Sequence, residues 1–194
     1  MTASRLILLA LLLLLPLPAL GAPPLLRPYA GQGVLIIPES DKSGGAVTVY
    51  QYPGVRQKES LLLAELPSLS PAISPKRGEI ILATVALREG FARVAVSPSG
   101  ETQWFELREN WRAIPWERFL TGRTMRLMAG QRESSSRLKQ VPAESGGVAG
   151  LTSAGAPLVA SEVRDDWAMV RDEKNASGWL RWRDGDGRLL VTVE

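Results

Sequence analysis

Between residues 158 and 191 the apolar positions recur at short intervals, and turn-forming residues interrupt them at Asp165-Asp166, at 175–178 and at 184–187. That is the pattern of short antiparallel strands. A looser copy lies upstream. Segment 82–94 aligns without a gap on 158–170, which sets Leu87 on Val163, Phe91 on Trp167 and Val94 on Val170. One deletion in the following turn sets Trp104-Phe105 on Trp179-Leu180, and on the other side Pro67 falls on Pro142. The proline- and serine-rich stretch 67–78 has its counterpart in 142–157, rich in glycine, serine and alanine. Two units of roughly 60 residues, each with a handful of short strands and one long loop, are expected to form compact barrels or sandwiches.

The start of the chain is of a different kind. Arg5 precedes a leucine-rich run over residues 6–20 that contains Pro16 and Pro18 and ends in small residues around Ala19 and Gly21. This reads as a secretory signal peptide over 1–21, cleaved after Gly21. The run is shorter than the roughly 20 uninterrupted apolar residues a membrane span requires, so no transmembrane anchor is expected in the mature chain. Loss of Arg5 lowers the formal charge of +3 by one, too little for long-range electrostatics to select a partner.

The chain has no cysteine and no histidine. An exported protein of short strands without disulfides fits a soluble bacterial envelope protein, periplasmic or extracellular, better than a disulfide-stapled eukaryotic one. Missing His and Cys removes the usual activators of nucleophiles and the usual ligands of zinc, copper and haem. Neither a cofactor nor a metal is expected. The only enzyme chemistry left would rest on carboxylates such as Asp165, Asp166, Asp184 and Asp186.

Residues 22–45 are rich in proline and glycine around one apolar run, Val34 to Pro38, expected to add a strand to the first unit. Residues 46–120 form the first unit with a linker, and 121–194 the second. Within the linker, Pro115 precedes 116–120, a short helix that Gly122 stops. Its neighbourhood supplies Trp111, Trp116 and Phe119 to pin one unit on the other. Residues 108–139 hold eight basic and three acidic side chains. Export argues against a nucleic-acid surface, so this excess reads as a solvated face. Ser136 and Lys139 have Ser-x-x-Lys spacing without the companion elements of penicillin-recognising enzymes. Residues 184–187 spell an Asp-Gly hairpin turn rather than a calcium loop, and Asn175 to Ser177 spell a turn rather than a glycosylation site.

Asp166-Trp167, Val170 and the later Gly178-Trp179-Leu180 resemble the signature of bacterial SH3-like (SH3b) domains; the first copy keeps Gly90-Phe91 and Val94 but has Gln103-Trp104-Phe105 in place of the triplet. The resemblance implies an all-β chain of two tandem SH3-like small β-barrels joined by a short helical linker. It also implies a non-catalytic module that binds peptide or cell-wall material through aromatic-lined grooves. Its partner would be an envelope protein or a peptidoglycan peptide. Candidate ligand-binding residues are Tyr50, Tyr52, Trp104 and Trp179. The alternatives are a structural or assembly subunit docked on a larger envelope complex, and a carboxylate-dependent enzyme. Strand alternation puts Trp179 and Leu180 on opposite faces. With the aliphatic of the triplet inside, Trp167 and Leu180 are expected in the core, and Trp179 or Trp182 is expected to be partly exposed.

Overall fold

The computed structural model describes residues 31–41, 45–70, 72–75, 78–97 and 100–194, and at 56–58 the backbone only. The leader expected over 1–21 lies outside the described residues. Seven strands make a first sheet: β1 (Gly33–Ile37), β2 (Ala46–Tyr52), β3 (Val55–Leu62), β4 (Ile80–Arg88), β5 (Phe91–Ala95), β6 (Thr102–Glu106) and β7 (Arg112–Pro115). A one-turn helix, α1 (Trp116–Leu120), follows. Seven more make a second sheet: β8 (Thr124–Leu127), β9 (Arg137–Lys139), β10 (Val148–Leu151), β11 (Pro157–Arg164), β12 (Trp167–Arg171), β13 (Ser177–Arg181) and β14 (Val191–Val193).

The first sheet has the order β3-β2-β6-β5-β4-β1-β7 and the second the order β10-β9-β13-β12-β11-β8-β14. Position for position these are the same arrangement. Their central hairpins match in detail. Thr84 pairs with Val94 and the register shifts before Ala86; Ala160 pairs with Val170 and the register shifts before Glu162. The bulge therefore falls at the same place in both copies of the aligned segment, where it bends the strand and increases its twist.

The chain is all-β as expected, but the sheets are not closed into barrels. The expected barrels are corrected to two open antiparallel sheets. The physical reason is visible at the edge of the second sheet, where another partner meets the backbone groups that closure would satisfy. Residues of the 67–78 loop reach across from the first unit. Ser74 N–H donates to the Val193 carbonyl and Val193 N–H to the Ala72 carbonyl, both at 2.9 Å, and Ile73 bridges Val193 in parallel.

The same crossing merges the interiors. One apolar cluster, with Leu35, Ile37, Val47, Val49, Leu82, Val94, Phe105 and Trp111, belongs to the first sheet alone. The other takes Ala168, Val170, Leu180 and Trp182 from the second sheet, Trp116, Phe119 and Leu120 from α1, and Val34, Ile36, Ile73, Ile81 and Ala83 from the first unit. Strand β1 is buried at every position because Leu35 and Ile37 face one cluster while Val34 and Ile36 face the other. That double burial explains its continuous apolar sequence. The helix stops where expected, with Gly122 at a φ of +80°. Trp116 and Phe119 pin the units together as expected. Trp111 does not: it belongs to the first cluster and donates its indole N–H to Asp41 Oδ2 at 2.8 Å.

Candidate functional site

Along β2, Val47 and Val49 enter the first cluster, so Tyr50 and Tyr52 point to the outer face. On β6, Phe105 points in and Trp104 out, opposite Tyr50 in the ladder. Three of the four expected ligand-binding residues therefore share one face of the first sheet. Phe91 joins them, its ring edge-on to Tyr50 with centroids 5.8 Å apart. The Tyr50 hydroxyl donates to Glu106 Oε2 at 3.2 Å, and this bond to a carboxylate raises its pKa above the ordinary tyrosine value. Trp104 is nearly covered, with the Arg88 guanidinium 5.5 Å from its ring centroid, whereas Tyr52 is 61% exposed. Tyr52 is thus the solvent-open aromatic of the set.

In the second sheet the alternation of Trp179 and Leu180 holds: Leu180 lies in the shared cluster and Trp179 on the outer face. The expected exposure does not hold. Trp179 is 4% exposed, beneath the Arg164 guanidinium at 5.3 Å and opposite Met169 and Lys139. The Arg164–Trp179 stack repeats the Arg88–Trp104 stack of the first sheet. Trp182 is completely buried, packed on Trp116 at 5.2 Å, its indole N–H donated to the Asp165 carbonyl at 2.9 Å. Gly178 is required by close packing: a Cβ there would lie 2.8 Å from the Leu138 Cβ.

Trp167 also departs from expectation. It is buried, yet in the ladder Ala168 faces Leu180 and Trp167 faces Arg181, so Trp167 lies on the same face as Trp179 and outside the shared cluster. The inward residues of β12 are Ala168 and Val170.

Trp167 instead helps line a cleft of about 490 Å³. One wall is the β8–β9 connection, with Arg132, Ser134 and Ser135; the other is the turn before β14, with Asp184, Asp186 and Arg188. Arg181 and Glu144 also line the cleft and are ion-paired. Arg137 is paired with Glu133 at 3.2 Å. Asp184 Oδ1 accepts the N–H groups of Asp186 and Arg188 at 2.9 and 2.8 Å, which holds the expected hairpin turn in shape. Asp166 is held by Arg183 at 2.7 Å. Of the four carboxylates named from the sequence, two therefore reach the cleft. Ser136 and Lys139 do not act together: the hydroxyl donates to the Glu133 carbonyl, the ammonium to those of Glu144 and Gly146.

The corresponding place in the first unit is stitched shut. There the β1–β2 connection carries Asp41, and the turn before β7 carries Arg108, Asn110 and Trp111. Asp41 Oδ2 accepts from the Trp111 indole at 2.8 Å and from Arg108 at 3.3 Å, and Oδ1 from Asn110 at 3.1 Å. These bonds, that of Trp111 first, hold the Asp41 pKa below its ordinary value. Among the described residues of the second unit, no side-chain hydrogen bond joins residues 129–137 to 184–190. The sequence places Arg132 and Arg137 inside the basic stretch 108–139, read as a solvated face, and assigns no site to Arg181 or Arg188. The local excess of positive charge over 108–139 covers Arg132 and Arg137, whereas Arg181 and Arg188 lie outside it.

No family model matches the chain, and no curated protein matches it. Among solved structures it is similar to NlpC2 from Trichomonas vaginalis, with a TM-score of 0.37 at 11% identity over 86% of this chain and 49% of the other. NlpC1 from the same organism gives 0.34 at 11% identity, over 79% and 48%. The chain thus spans about half the length of these two proteins. The CBD of endolysin LysPBC5 gives 0.25 at 15% identity, over 84% and 94%. Likenesses this distant assign no function.

Proposed function

We propose that this chain is a non-catalytic binding module of the bacterial envelope that takes the peptide part of the cell wall in the cleft of its second sheet. The observation that carries the reading is the contrast between the two units: the same pair of connecting segments is stitched together by Asp41 in one and stands apart around a 490 Å³ space in the other. The cleft is concave and mostly polar, with Trp167 and Leu190 as its apolar lining, which suits a charged, hydrogen-bonding ligand such as a peptide better than an apolar one. The SH3b resemblance of residues 166–180 agrees with it, and the leader over 1–21 would deliver the chain to the wall. No helix among the described residues is long and apolar enough to cross a membrane. Sedimentation with purified sacculi tests the reading. The full mature chain should pellet with them, Arg188→Glu in the cleft should abolish this, and Tyr52→Ala on the first sheet should not; a wild-type chain that stays in solution refutes it. Mass spectrometry of the chain from its host should find a start near Ala22, and an intact Met1 would remove the export step.

A second reading, an assembly subunit, is favoured by the outermost strands. Both β3 and β10 end their sheets and carry exposed apolar side chains, Val55 and Leu62 on one, Val148 and Leu151 on the other. Open edges with apolar side chains are templates for pairing with another chain. Crosslinking in intact cells at Leu151 distinguishes it: a protein adduct at that edge supports docking, and its absence refutes it.

A further inference from the structure

The first unit shows what chemistry bridges these two walls. Its β1–β2 connection and the turn before β7 are held by one carboxylate, Asp41, which accepts hydrogen bonds from Arg108, Asn110 and Trp111. In the second unit the wall residue just before β14 is Leu190, where the first unit has Trp111 just before β7, and Leu190 lines the cleft. The indole donor is gone, and arginines flank the space in its place.

The charges of the cleft divide into committed and uncommitted groups. Arg181 is engaged by Glu144 and Arg137 by Glu133, while Asp184 caps its own turn. Arg132 and Arg188 make no ion pair with any described residue, although both line the cleft, and the acids Asp184 and Asp186 on the wall that carries Arg188 make none either. Neither guanidinium makes a side-chain hydrogen bond to a described residue, so their donors stand open to a ligand, and guanidinium is the group best shaped to take a carboxylate by two parallel hydrogen bonds.

We infer that the cleft recognises its ligand through a free carboxylate of a wall peptide, seated between Arg132 and Arg188 where Asp41 sits in the first unit. This rests on the wall-binding reading above and names the group that is read. The Asp41 carboxylate is the chain's own occupant of the first site, and the second site takes its carboxylate from outside. Binding to it should weaken with salt, since both arginines are exposed.

The test uses the full mature chain and two preparations of purified sacculi, one untreated and one with its carboxylates converted to amides by carbodiimide and ammonia. Wild type should bind the untreated wall and lose roughly tenfold or more on the amidated one, the size expected for charge-assisted bonds. The double variant Arg132→Gln, Arg188→Gln should show the same loss on the untreated wall, whereas Arg171→Gln, on β12 away from the cleft, should not; melting midpoints confirm that each is folded. The amidated wall tests the chemistry without any substitution. Equal binding of wild type to both preparations overturns the carboxylate inference while leaving wall binding intact. Loss on amidation with full retention by the double variant places the carboxylate elsewhere and overturns the assignment to this cleft. Failure to bind either preparation refutes the wall-binding reading itself, and the inference with it.

Discussion

Trp182→Ala is the substitution that most directly probes how the two units are joined. The side chain is completely buried, packs on Trp116 of α1 at 5.2 Å and donates its indole N–H to the Asp165 carbonyl. An aromatic side chain of this kind removes about 200 Å² from water, worth about 5 kcal/mol at 25 cal/mol per Å². That figure is an upper bound, because the unfolded chain already buries part of it; large aromatic-to-alanine truncations cost about 3–5 kcal/mol. Loss of the indole bond leaves the Asp165 carbonyl without that donor and adds about 1 kcal/mol. The expected destabilisation is therefore about 4–6 kcal/mol, a large part of the 5–15 kcal/mol typical of a folded domain. Because the cluster around Trp182 includes Val34, Ile36 and Ile81 of the first sheet, urea unfolding should remain a single transition with a lowered midpoint. Circular dichroism and tryptophan fluorescence should report the same midpoint. A cost below about 1.5 kcal/mol, or a separate early transition that leaves the first sheet folded, would refute the shared core.

Three further outcomes follow from the same packing. Gly178→Ala should cost about 1–3 kcal/mol in urea unfolding, because the new Cβ meets Leu138 Cβ at 2.8 Å and the backbone must give; a neutral result would mean that β9 can move aside. Residues 121–194 expressed alone should show no cooperative thermal transition, since their core lacks Ile36, Ile73 and Ile81; a sharp melt would show an independent second unit. Asp41 has its folded pKa depressed below the ordinary 3.8, so its contribution to stability is present above that value and is lost as pH falls through the folded value. Melting temperature should therefore drop more steeply on acidification below about pH 4 for wild type than for Asp41→Asn; parallel curves would remove the clamp at that residue.

Much of the sheet architecture was legible because it is local. The gapless match of 82–94 on 158–170 carried over to matched hairpins with the bulge in the same place. The run Val34 to Pro38 read as a strand because a segment covered on both faces must be apolar throughout. Trp179 and Leu180 fell on opposite faces as alternation demands. Trp167 was misplaced because its face is set by the register between β12 and β13, which pairs Ala168 with Leu180, and an alanine does not advertise a core position. The burial of Trp179 was hidden because the guanidinium of Arg164, a residue that composition assigns to solvent, lies over its ring. Open sheets and a common core rest on contacts such as Ile73 with Val193, far apart in the chain and invisible to periodicity. The cleft was the least legible feature. It is assembled from the β8–β9 connection, Glu144, Trp167, Arg181 and the turn before β14, and no single stretch contains enough of it to signal a site.

Amide and indole chemical shifts of the isotope-labelled chain from Ala22 to Glu194, followed while peptides released from sacculi are added, test the account most directly. Binding in the cleft predicts shifts concentrated at residues 130–137, at the Trp167 indole and at 181–190, with the region from Tyr50 to Val55 unmoved. Shifts centred on Tyr50, Tyr52 and Phe91, or none at any concentration that pellets the chain with intact sacculi, would contradict it.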